Sequence, residues 1–133
     1  MLRLEVAALY AGVNILILLV LAVVVVMGRR HHKIALGDAG NQDFARAVRA
    51  HANAAEYIPA GLVGIVLLSL FEGSPLWLLH AAGGSLTAGR LLHGVGLNSG
   101  MLIRGRSLGV LLTWAAYVLV GAGLIHAAVA QQL

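Results

Sequence analysis

The chain contains no cysteine, which excludes disulfides, thiolate-ligated metals and a protein thiol nucleophile. Any sulfur chemistry must come from a bound molecule. Charge is scarce as well: Asp, Glu, Lys and Arg make up 11% of the 133 residues, against 60% hydrophobic residues, and the mean hydropathy is +0.92. A soluble domain of this length could not bury so much apolar surface, so lipid is the solvent for most of the chain. Neither an internal repeat nor a low-complexity segment is present, and the length suits a single domain, 1–133. A net charge of +4 and an isoelectric point near 10.4 would suit nucleic acid. The basic residues instead flank apolar segments, where they act as topology signals, and no nucleic-acid partner is expected.

What is present is a set of long apolar runs. Val6–Met27 is broken only by Tyr10, Gly12 and Asn14. It exceeds the apolar region of a signal peptide, and Gly28-Arg29-Arg30-His31-His32-Lys33 follows it in place of a small-residue cleavage site. It reads as a retained transmembrane helix, with Asn14 as an interhelical hydrogen bond. Hydropathy and turn residues predict helices at 5–27, 43–70, 75–97 and 107–130, with Pro75 in the first turn of the third. Each supplies the roughly 20 residues a spanning helix requires. The expected fold is an all-α, four-transmembrane-helix up-down bundle. Arg29, Arg30 and Lys33 in the 28–42 loop, and Arg104 and Arg106 in the 98–106 loop, place both loops in the cytoplasm and both termini outside.

The second helix is polar where it should be greasy. At 100° per residue, Arg46, Arg49, Asn53, Glu56 and Tyr57 share an arc of about 100°, while His51 points almost the opposite way. Ionisable groups at membrane depth stay only with a partner and a purpose. Polar groups on two faces imply protein on both sides, which a four-helix chain achieves by oligomerising. The four-residue spacing of Ala81, Ser85 and Gly89 in the third helix suits close membrane packing. Arg90 and His93 fall near the same inner depth as Arg46–Asn53. The ligand that suits this cluster is a small anion with several carboxylates, an amine being met by Glu56. His31-His32 has no carboxylate or cysteine nearby, so no metal site is expected.

The string Arg49-Ala-His51-Ala-Asn53-Ala-Ala-Glu56-Tyr57-Ile-Pro59 resembles the second-helix signature of the MAPEG family, the membrane-associated proteins in eicosanoid and glutathione metabolism. Ala88-Gly89-Arg90-Leu-Leu-His93-Gly resembles the third-helix signature, and the likeness covers essentially the whole chain. Among subgroups it is most similar to the small bacterial inner-membrane members. The resemblance implies a homotrimer holding glutathione between subunits near the cytoplasmic face. Arg49, Asn53, Glu56 and Tyr57 would contact it from one subunit, with Arg90 and His93 beside them. His51 and either Arg29 or Arg30 would reach it from the neighbour. Arg106 stands where family enzymes carry the arginine that stabilises the glutathione thiolate, with Arg104 as its competitor. Where some members have a tyrosine late in the third helix, this chain has Leu97.

Three functions follow as expectations. The first is a glutathione transferase or peroxidase acting on lipophilic electrophiles or hydroperoxides drawn from the membrane lipid. The second is a non-catalytic protein whose basic pocket binds an anionic lipid or metabolite. The third, a small transporter, lacks an ionisable path from Glu56 to the outer surface.

Overall fold

The computed structural model describes residues 2–98 and 102–130, leaving aside the side chains of residues 97–98 and 102–104. All regular structure there is helical: α1 Arg3–His32, α2 Gln42–Ser69, α3 Leu76–Asn98 and α4 Leu102–Ala130. Leu97 and Arg104, both singled out by the sequence, have side chains outside the described residues.

Two helix ends depart from expectation. α1 continues to His32 instead of stopping at Met27. Arg29, Arg30, His31 and His32 fill its last turn, where positive charge meets the carbonyl end of the helix dipole. Lys33 then closes it in the left-handed conformation, φ 56°, with Ile34 N donating to Arg29 O at 3.0 Å. α4 begins at Leu102, so Arg104 and Arg106 lie in its opening turns and not in a loop. Close to this start a Cβ on Gly105 would lie 3.4 Å from Gly96 Cα of α3, so the two helices approach closely there.

Between α1 and α2 the chain is held by its own polar groups. Arg29 Nη1 donates to the carbonyls of Ala35 and Gly37 at 3.2 and 3.3 Å. Asn41 caps α2 by accepting from Phe44 N at 3.0 Å. At the other end Arg3 Nε donates to Ser74 O at 2.7 Å, tying the start of α1 to the α2–α3 turn.

α1, α2 and residues 105–130 are long and apolar enough to cross a membrane. α3 has 23 residues, about 34 Å at 1.5 Å each; His80, Arg90 and His93 lower its hydropathy, and the last two face inward. In the half nearer the α2–α3 turn, Val6, Ile65, Leu68, Leu79, Leu86 and Val120 form the core. Asn14 is buried there and donates to Thr87 Oγ1 at 2.8 Å, the expected interhelical bond. In the other half α2 turns Ala47, Ala50 and Ala54 inward, which brings the neighbouring helices close. No contact between α1 and α4 occurs among the described residues. Both leave apolar flanks exposed, including Leu16 and Val20 on one and Leu111 and Val118 on the other.

Candidate functional site

The buried stripe of α2 (Phe44, Ala47, Ala50, Ala54, Ile58) has Arg49, Asn53, Glu56 and Tyr57 along one flank and His51 on the other, as the helical period requires. The first flank meets Arg90 of α3. That side chain is 1% exposed and reaches both α2 and α4. Its Nη1 donates to Asn53 Oδ1 at 2.6 Å on α2. Its Nη2 donates to Thr113 Oγ1 at 2.5 Å and Gly109 O at 3.4 Å on α4. Its guanidinium carbon lies 5.3 Å from the centre of the Tyr57 ring, a cation–π distance. Tyr57 in turn stacks edge-on against Tyr117 at 5.7 Å and accepts the Tyr117 hydroxyl on its carbonyl oxygen at 2.7 Å.

Every one of these partners is neutral. Among the described residues no carboxylate pairs with Arg90, and its Nε is buried without a hydrogen-bond partner. An uncompensated guanidinium in the bundle therefore projects positive potential onto the α2 flank. His93, 4% exposed, is within electrostatic reach of Arg90, Arg106 and Arg49.

Arg90 sits there because two glycines let α4 approach. A Cβ on Gly89 would lie 2.8 Å from Gly109 O, and one on Gly109 would lie 2.7 Å from both Gly89 O and His93 N. Thr113 Oγ1 donates to Gly109 O at 2.8 Å, which fixes the hydroxyl oxygen to accept from Arg90. The small-residue ridge expected to serve close packing is thus used, at Gly89, within the chain.

On the exposed side, Arg49 Nη1 and Glu56 Oε1 are 3.8 Å apart, with side chains 67% and 55% exposed. Asn53 stands between them in sequence. Arg46 is engaged by Asp43. Arg29, besides holding the loop carbonyls, lies 5.6 Å above the Phe44 ring. Arg30 is exposed, so of the two candidates it is the one with a free guanidinium. Arg106 is exposed at the start of α4, its backbone nitrogen 2.9 Å from where a Gly96 Cβ would be. His51 is half-buried and joins none of the contacts around Arg90.

Sequence reasoning missed Thr113 and Gly109 as supports of Arg90. A threonine inside an apolar run is the signal that could have found the first. Trp114, on the same helix as Thr113, is exposed. An apolar groove of about 530 Å³ runs between α1 and α3, walled by Leu16, Val20, Leu21, Leu91 and Arg90 among others.

With this geometry in place, the family model of the MAPEG family matches residues 7–126. The chain belongs to the MAPEG family. Curated relatives include "Inner membrane protein YecN" from Escherichia coli strain K12 and from strain O6:H1 CFT073. Each is 39% identical over 114 residues, 86% of this chain and 86% of the relative. The MAPEG match spans all four helices and contains every residue of the Arg90 cluster. It also fits the three apolar helices: the protein is an integral membrane protein.

Proposed function

We propose that this MAPEG protein binds glutathione as a homotrimer in a bacterial inner membrane, and that it is a glutathione transferase or peroxidase. The carrying observation is the exposed Arg49–Asn53–Glu56 face beside the buried Arg90. An exposed ion pair is worth only about 0–1 kcal/mol, so Arg49 and Glu56 lose little by parting to take the carboxylate and ammonium of a ligand. Glutathione carries two carboxylates, one ammonium and the thiol this chain lacks. The 28–42 loop and the 98–106 end face the cytoplasm, where the tripeptide is available. His51, on the other flank of α2, and the exposed Arg30 serve the neighbour's site.

Arg106 holds the thiolate. Free thiols titrate near pH 8.5, and an adjacent guanidinium lowers that value. The thiolate sulfur then bonds to an electrophilic carbon and expels its leaving group. With a hydroperoxide it takes the terminal oxygen as the O–O bond breaks and the alkoxide leaves to become the alcohol. The resulting sulfenic acid then reacts with a second glutathione to give the disulfide and water. The lipophilic partner enters from the bilayer along apolar walls such as the α1–α3 groove.

Turnover of detergent-purified trimer with glutathione and chlorodinitrobenzene, or a lipid hydroperoxide, tests the reading. Arg106→Ala is expected to lower kcat about 100-fold, the usual effect of losing one donor to a reacting anion, with glutathione affinity changed less than about threefold. An unchanged kcat moves the role to Arg104. No turnover by the wild type with either substrate overturns the catalytic part.

A second reading draws on the surface hollow of about 470 Å³ lined by Val26, Arg30, Lys33 and Ile34. Apolar and basic groups together there suit an anionic lipid headgroup. If lipid displaced glutathione from the trimer without turnover, the protein would be a lipid-binding member of the family.

A further inference from the structure

At the end of the bundle opposite the Arg90 cluster, the α2–α3 turn holds a buried hydroxyl without a partner. Ser74 is 4% exposed. Its backbone groups are both engaged: the nitrogen donates to Phe71 O at 3.0 Å, and the carbonyl accepts from Arg3 Nε at 2.7 Å. Its Oγ makes no hydrogen bond, although a buried hydroxyl left so costs about 1–3 kcal/mol. Ser69, buried near the end of α2, shows the ordinary solution by donating to Val66 O at 2.7 Å. Ser74 helps to wall a pocket of about 220 Å³ against α4, with Phe71, Leu78, His126 and Ala127. A longer hollow of about 530 Å³ shares Gly73, Pro75, Leu78, Gly123 and His126 with it and continues past Trp77, Val118 and Ala122. Trp77 and Val118 are 65% and 69% exposed, so the hollow opens on a flank that meets lipid.

Donors gather at the head of this hollow. Arg3, with Nε on the Ser74 carbonyl, makes no other side-chain hydrogen bond or ion pair among the described residues, so its Nη groups stay available. α3 starts at Leu76, and the first N–H groups of a helix favour an anion. We infer that the hollow is a glycerophospholipid site. An ester carbonyl of the lipid accepts from Ser74 Oγ, the phosphate meets Arg3, His126 and the start of α3, and an acyl chain follows Leu78, Val118 and Ala122. Glu72, exposed on the same turn, suits an amine in the headgroup. A soluble phosphate ester would leave the apolar length of the hollow empty, and a plain hydrocarbon would leave the Ser74 hydroxyl unpaired. The start of α3 lies about 21 Å along the helix from Arg90, so this site is separate from the glutathione face and from the basic hollow beside Lys33.

The test is thermal unfolding of delipidated protein in detergent, with and without added phosphatidylethanolamine, for the wild type, Ser74→Ala and Ala127→Phe. The wild type is expected to gain about 5 °C, the order of shift given by a ligand held well above its dissociation constant. Ser74→Ala removes the unpaired hydroxyl, so without lipid it is expected to be at least as stable as the wild type. With lipid it is expected to gain less than half as much. Ala127→Phe fills the pocket and is expected to gain nothing measurable. Diacylglycerol and inorganic phosphate, each a part of the ligand, are expected to give the wild type less than half of the phospholipid shift. Three results would overturn the inference: no gain in the wild type, an equal gain in Ser74→Ala, or a gain from diacylglycerol as large as from the phospholipid. The second of these would mean that lipid acts elsewhere on the bundle. Should Ala127→Phe not fold, the comparison of wild type with Ser74→Ala decides alone.

Discussion

Arg90→Ala is expected to destabilise the protein by about 3–5 kcal/mol, from the lost hydrogen bonds to a charged group and the cavity left in the bundle. The substitution strips partners from Asn53 Oδ1 on α2 and from Thr113 Oγ1 on α4, and it empties the space under the Tyr57 ring. Each hydrogen bond to a charged group contributes roughly 1.5–3 kcal/mol, and two such bonds account for most of the loss. Arg90→Lys keeps the charge but not the fork: one ammonium cannot span from Asn53 to Thr113 while lying over Tyr57. It is expected to recover less than half of the loss. Thermal unfolding of the three proteins in one detergent checks this, and near-wild-type stability in Arg90→Ala would show that the helices do not depend on this junction.

Gly109→Ala is expected to be nearly as damaging, although it adds one methyl group to a helix that favours alanine. The added carbon would lie 2.7 Å from Gly89 O and from His93 N. Both are backbone atoms, so no rotamer change relieves the clash and α3 must move away from α4. Overpacking of this kind typically costs about 1–3 kcal/mol, and the shift also weakens the contacts of Arg90 to Gly109 O and Thr113. Gly121→Ala is the control. It lies in the same helix with nothing within 4 Å of the position a Cβ would take, and helix propensity alone favours alanine there by about 1 kcal/mol. A drop in melting temperature at Gly109 with none at Gly121 is the expected pair of results. Equal effects would mean that the α3–α4 approach is looser than the glycine contacts indicate.

The four helices were legible because apolar length is a strong signal and the polar arc of α2 obeys the helical period. Their ends were less so. The basic run after Met27 reads as a loop by hydropathy, yet its charges favour the carbonyl end of a helix and extend α1 to His32. The flank Arg49–Asn53–Glu56–Tyr57 could be placed from one helix alone. The role of Arg90 could not, because its partners Gly109 and Thr113 lie 19 and 23 residues away on another helix and are ordinary residues in a transmembrane run. Hydropathy likewise offers no means of separating Arg29 from Arg30. Only the fold shows that Arg29 is taken by the loop carbonyls.

Glutathione binding at the α2 flank is tested most directly by calorimetric titration of the purified oligomer, with Arg49→Ala and Glu56→Gln beside the wild type. Both substitutions change exposed side chains, so the assembly is expected to stay intact. The expected result is saturable wild-type binding of one glutathione per subunit, weakened at least about tenfold in each variant by loss of a charge-assisted contact. An intact oligomer that takes up no glutathione at millimolar concentration would contradict it.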